Sequence, residues 1–153
     1  MTPIYKAKPI IHTLNSKDTE TMFFDNAILL GIIAPIKEYK FCWMVNKETA
    51  LNFNKCVDIE HNLLKNNRRY TFSIYESKDP FQNYEHFIYA NQNDGEYLIP
   101  ELKNLDFIWL IQNVDVTLFN SMDLVASIRN LNCVNMCQVI NINLIPSKDR
   151  LIF

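Results

Sequence analysis

The chain moves between short apolar runs and stretches where apolar residues recur at spacings of two or of three to four. Ala27 to Ala34 (AILLGIIA) is apolar throughout and closed by Pro35. A run of that length predicts a strand buried on both faces. Leu105 to Ile111 (LDFIWLI) reads as a central strand on the same grounds. Tyr70 to Glu76 alternates instead, with Tyr70, Phe72 and Ile74 on one side and Thr71, Ser73 and Tyr75 on the other. The Ser77 to Pro80 turn cluster and Tyr84 to Ala90 complete an antiparallel hairpin. Met136 to Leu144 alternates as a half-buried strand that Pro146 stops, and Val57 to Leu64 is a weak candidate for a short edge strand.

Two segments predict helices. Val116 to Leu131 carries the stripe Leu118, Met122, Val125 and Ile128, widened by Leu124 and Leu131, with Asp115 or Thr117 as cap. After Pro35, helical spacing of Tyr39, Cys42, Trp43, Asn46, Ala50 and Phe53 competes with strand-like alternation of Tyr39, Phe41, Trp43 and Val45. The separate polar sector of Lys37, Lys40, Lys47 and Glu48 favours the helix. The order is then β, α, a possible β, β, β, β, α, β. It predicts an α+β domain: a mostly antiparallel sheet with two helices on one face, a split β–α–β or ferredoxin-like sandwich. Residues 1–25 read as an N-terminal lead-in and 26–153 as the single domain. Asn91 to Gly95 (NQNDG) is the best turn signal, with Gly95 supplying positive φ.

Composition narrows the field. The 153 residues are 48% hydrophobic and 21% charged, a globular balance with material for a core. A net charge of −2 gives no broad attraction to nucleic acid or to an acidic membrane. The only glycines are Gly31 and Gly95, too few for a loop that wraps phosphates, so Walker and dinucleotide fingerprints are absent. No cofactor is predicted. Asparagine is abundant, which fits either hydrogen-bonding hooks or genomic drift. Met1 to Ile11 lacks an apolar run of signal length, no stretch has membrane-span length, and Cys42, Cys56, Cys133 and Cys137 need no pairing in a domain of this size. The expectation is a reduced, cytoplasmic protein with free thiols.

Candidate chemistry is sparse. Cys133 and Cys137 lie four apart with no histidine near them in sequence, and His12, His61 and His86 are scattered, so no metal site is predicted. Glu85 and His86 are neighbours on a strand and point to opposite faces, which prevents a direct dyad. Asp58 and Glu60 would share a face of the weak strand, as a solvated edge. Lys65, Arg68 and Arg69 run into Tyr70, Phe72 and Tyr75, the ingredients of single-strand RNA binding. The net acidity and the core-like company of Tyr70 argue against that reading.

Residues Ile99 to Phe107 (IPELKNLDF), followed by IWLI, resemble the signature of the IPExxxVDY family of Bacteroidetes, a family without an assigned activity. Ile99, Pro100, Glu101 and Asp106 match, while Leu105 and Phe107 stand in place of Val and Tyr. Phe107 has no phenol, so no hydroxyl chemistry can operate there. Glu101 and Asp106 are left as the ionisable pair. They are either a ligand-facing carboxylate pair or turn chemistry, with Glu101 accepting a backbone N–H and Asp106 fixing the strand entry. The favoured function is a non-catalytic module that binds a small molecule or docks a protein. The alternatives are RNA association through the Lys65 to Tyr75 patch or an enzyme of unrecognised type. High hydrophobic content, an open sheet edge and an uncovered sheet face predict a homodimer at micromolar concentration.

Overall fold

The two continuous apolar runs lie side by side in the interior of a sheet, which is why they need no polar face. The computed structural model describes residues 16–63, 68–79 and 83–153. Its elements are α1 (Ser16–Phe24), β1 (Ile28–Ile33), α2 (Glu38–Glu48), β2 (Asn54–Leu63), β3 (Arg68–Lys78), β4 (Glu85–Ala90), β5 (Gln92–Asn93), β6 (Glu96–Tyr97), β7 (Phe107–Gln112), α3 (Ser121–Arg129) and β8 (Met136–Ile140). Six strands form one sheet in the order β2-β3-β4-β7-β1-β8, and every neighbouring pair is antiparallel. β5 and β6 make a separate small hairpin, turned by Asp94 and Gly95 at φ 50° and 81°. β7, α3 and β8 are a split β–α–β unit, because β1 lies between β7 and β8 and runs against both. The α+β class, the antiparallel sheet and the pairing of β3 with β4 are as predicted.

One face of the sheet is covered by α2 and α3. Phe41 stacks on Phe107 with centroids 4.5 Å apart, and Val125 and Ile128 are buried in the same cluster as Leu30, Trp109 and Cys137. The buried stripe of α2 is Phe41, Cys42 and Val45, rotated from the predicted one, so Tyr39 and Trp43 are 57% and 61% exposed. The last helix also differs from expectation. Asn120, not Asp115 or Thr117, is its cap, accepting the N–H groups of Met122 and Asp123. Asp115 instead bonds Thr117 and closes a turn, which leaves Leu118 outside the helix and 79% exposed.

The opposite face is covered too, which corrects the expectation of an uncovered one. Leu98 and Ile99, then Ile145 and Leu151, close over Leu29, Phe72, Tyr89 and Ile108. These covering segments are turns and single 3-10 turns, Pro100–Leu102, Ile142–Leu144 and Lys148–Leu151, without a period that a sequence pattern would show. Part of the expected lead-in belongs to this layer. Residues 16–24 form α1, whose Phe23 and Phe24 pack on the same cluster, and Gln112 Nε2 donates to the Phe23 carbonyl at 2.9 Å. Each outer strand carries one local irregularity along its length. β2 carries a register shift between Lys55 and Asp58, and Arg129 Nε occupies the Cys137 carbonyl of β8 at 2.8 Å.

Candidate functional site

The Ile99 to Phe107 segment is organised by a residue some way upstream. Asn91 is fully buried. Its side-chain amide donates to the carbonyls of Leu102 and Leu105 at 2.8 and 3.0 Å, and its Oδ1 accepts the Ile99 N–H at 2.9 Å. Its backbone N–H reaches the Asp106 carbonyl at 3.0 Å. Buried amides of this kind are stable only when every polar atom is used, and here they are. Pro100 fixes φ at the start of the 3-10 turn, so the turn is rigid on both sides. The sequence signal around Asn91 points to a turn; nothing local shows that its side chain reaches back into the core.

The two carboxylates of the motif have separate duties. Asp106 Oδ2 accepts the Ala34 N–H at 2.8 Å, and its own N–H donates to the Ile32 carbonyl at 2.9 Å, tying the end of β1 to the entry of β7. Asp106 also borders a surface depression with Lys37, Lys40 and Gln92. Glu101 is exposed, and its Oε1 accepts the Ser147 hydroxyl at 2.6 Å rather than a backbone N–H. It stands at the lip of a different cavity, a cleft of about 440 Å³ between the motif turn and β8. The motif therefore does not bring Glu101 and Asp106 together at one cavity.

The cleft has an apolar body and a polar rim. Leu102 and Leu105 come from the turn, Ile33 from β1, and Met136 and Ile140 from β8. Glu101, Asn104, Gln138 and Asn141 supply oxygen and nitrogen atoms around them. Two of these side chains reach into the space beside Gly31. A Cβ there would stand 2.3 Å from Ile140 Cδ1 and 2.5 Å from Leu105 Cδ1, so any side chain at this position would push the tips of both aside. A second depression, of about 250 Å³, continues along β8 past Val139 and Ile140 toward Phe24 and Ala27.

Among the described residues, the basic and aromatic side chains near β3 do not assemble a stacking platform. Tyr70 belongs to the core cluster of one sheet face and Tyr75 to that of the other, 7% and 8% exposed. Arg68 pairs with Asp94 and lies 5.3 Å over the Tyr70 ring, Arg69 is exposed, and Lys65 lies outside the described residues. Asp58 pairs with Lys55 at 3.3 Å at the solvated edge. His86 is 3% exposed; its Nδ1 accepts the Trp109 indole N–H at 3.2 Å, and burial lowers its pKa to about 4. It is a neutral core histidine. All four thiols are free, with Cys42 and Cys137 pushed by burial up to about 12 and 11, and no group of His, Cys, Asp and Glu among the described residues could hold a metal ion. No helix among the described residues is long and apolar enough to cross a membrane. Neither protein-family models nor curated proteins nor solved structures give a match to this chain.

Proposed function

We propose that this protein is a non-catalytic binding module whose site is the cleft between the Glu101–Leu105 turn and β8. The single observation that carries the reading is the make-up of that cleft. Its volume is in the range of small-molecule sites, it is mostly apolar, and a few polar side chains converge on its rim. Glu101 brings the only ionisable group to the lining, so the ligand is a small, largely apolar molecule with a donor or cationic end. The resemblance to the IPExxxVDY family fits this: the motif's Pro100 and Asp106 shape and anchor the turn, and Glu101 is its ligand-facing member. The four free thiols accord with a reducing, cytoplasmic setting, which is part of the proposal.

Thermal-shift titration with straight-chain alkylamines and with carboxylates of equal chain length tests the reading. The amines are expected to raise Tm of the wild type and the carboxylates are not, with the difference lost in Glu101→Gln. Equal behaviour of both series, or an amine response that survives Glu101→Gln, sinks it.

A further inference from the structure

His86 uses only one of its two ring nitrogens inside the protein. Nδ1 accepts the Trp109 indole N–H at 3.2 Å. An acceptor nitrogen carries no proton, so in the neutral ring that bond puts the hydrogen on Nε2. Burial keeps the ring neutral, and the Asp79 carboxylate only partly offsets it. Tyr84, two residues earlier on the same side of the strand, is 4% exposed and sets its ring edge-on to Phe119 at 5.4 Å.

Both side chains line one cavity of about 260 Å³, between the end of α2, the start of β4 and α3. Among the described residues, neither His86 Nε2 nor the Tyr84 hydroxyl has a hydrogen-bond partner. No enclosed side-chain nitrogen or oxygen is left without one, so these two groups are open to the cavity that they line. The histidine is explained by Trp109, which needs an acceptor. The Tyr84 hydroxyl has no such duty, and a phenylalanine would fill the core as well.

The remaining walls say what the cavity can hold. Leu51, Phe119 and Leu124 give it an apolar side. Glu48 and Asp79 bring the only charges among the lining residues, both negative, which turns anions away. An ammonium group suits those carboxylates but has no acceptor for Nε2–H or for the hydroxyl. A primary carboxamide meets both demands, because its oxygen accepts and its NH2 donates.

We propose that this cavity is a second binding site, for a small, flat, neutral molecule ending in a carboxamide. The carbonyl oxygen lies on His86 Nε2–H and the Tyr84 hydroxyl, the NH2 faces the carboxylates, and the ring rests on Phe119 and Leu124. The site shares no lining residue with the cleft beside Glu101, so either reading can fail alone.

Nitrogen-15 NMR of the full chain, titrated with benzamide, benzoate and benzylamine, gives the test. The reporters are the Trp109 indole N–H, bonded to the other nitrogen of the same imidazole, and the backbone amides of His86, Leu124 and Ser127. Benzamide is expected to shift them saturably at about millimolar concentration, benzoate not at all, and benzylamine about tenfold more weakly. Tyr84→Phe keeps the ring on Phe119 and is expected to weaken benzamide about tenfold, with its own spectrum showing that it is folded. The comparison of the three probes on the wild type stands without that variant. No saturable shift with benzamide, or shifts confined to Glu101 and Leu102, overturns the proposal and leaves the cavity to water. An equal response to benzoate or benzylamine, or unchanged benzamide affinity in folded Tyr84→Phe, overturns it as well.

Discussion

Asn91→Asp is the substitution that most sharply tests how the motif turn is held. The side chain keeps its shape, yet an ionised carboxylate can donate nothing. The Leu105 carbonyl loses the donor that Asn91 gave it, the Leu102 carbonyl keeps only the Leu105 N–H at 2.9 Å, and a negative oxygen is brought against both where Nδ2 stood at 2.8 and 3.0 Å. The buried Leu105 carbonyl left without that donor costs about 1–2 kcal/mol, and an unpaired buried charge set against two carbonyl oxygens adds more, so a total of about 3–5 kcal/mol is expected at neutral pH. The Ile99 N–H still finds an acceptor, which limits the loss. The pH dependence has a definite sign. Burial beside carbonyl oxygens raises the folded-state pKa of the new carboxyl above its unfolded value. The deficit is then largest above the folded pKa and shrinks as pH falls through it, because the protonated acid regains one donor. Urea unfolding followed by the fluorescence of buried Trp109, at several pH values, measures this. A loss under about 1 kcal/mol, or one that grows on acidification relative to wild type, refutes the account of the turn.

Three further predictions concern the core. His86, with a folded pKa of about 4 against 6.5 when free, favours the unfolded state in acid: stability falls as pH drops below 6.5, levels off below 4, and amounts to about 3 kcal/mol in all. His86→Gln keeps an acceptor for Trp109 and should flatten that limb of the stability–pH curve; an unchanged limb assigns it elsewhere. Trp109→Ala, which removes a fully buried ring packed 5.2 Å from Phe53, should cost about 3–5 kcal/mol, and a loss near zero in the same urea assay contradicts its burial. Thiol labelling of the native protein near neutral pH should modify Cys56 and Cys133 well before Cys42 and Cys137, as read by mass spectrometry; early labelling of Cys42 would contradict its enclosed, raised pKa.

Much of the fold was legible because burial on two faces leaves a plain mark. β1 and β7 are continuous apolar runs, and β3 alternates because its residues divide between two clusters. The second covering layer was not legible, because single 3-10 turns and a short α1 bury isolated residues such as Ile145 and Leu151 without a repeating spacing. Helix phase was misjudged for a related reason. Tyr39, Trp43, Leu118 and Met122 are as apolar as core residues, and a surface patch at helical spacing cannot be told from a core stripe by pattern alone. Asparagine abundance has a partial structural account. With few glycines, left-handed backbone positions fall to Asn26, Asn83, Asp94 and Asn113, whose side chains tolerate positive φ. Of the motif's carboxylates, Asp106 accepts a backbone N–H as turn chemistry requires, whereas Glu101 is exposed and accepts the Ser147 hydroxyl instead of a backbone N–H; the cleft beside it was not legible, because it needs β8 as its second wall.

The central claim is that the motif turn and β8 together make a binding cleft with Glu101 at its rim. Amide chemical-shift mapping on nitrogen-15-labelled protein, titrated with hexylamine, tests it most directly. Saturable shifts are predicted at Glu101, Leu102, Asn104, Gln138 and Ile140, which line one cavity from two distant parts of the chain. No saturable shifts there, or shifts confined to the separate depression around Lys37, Lys40 and Gln92, would contradict the account.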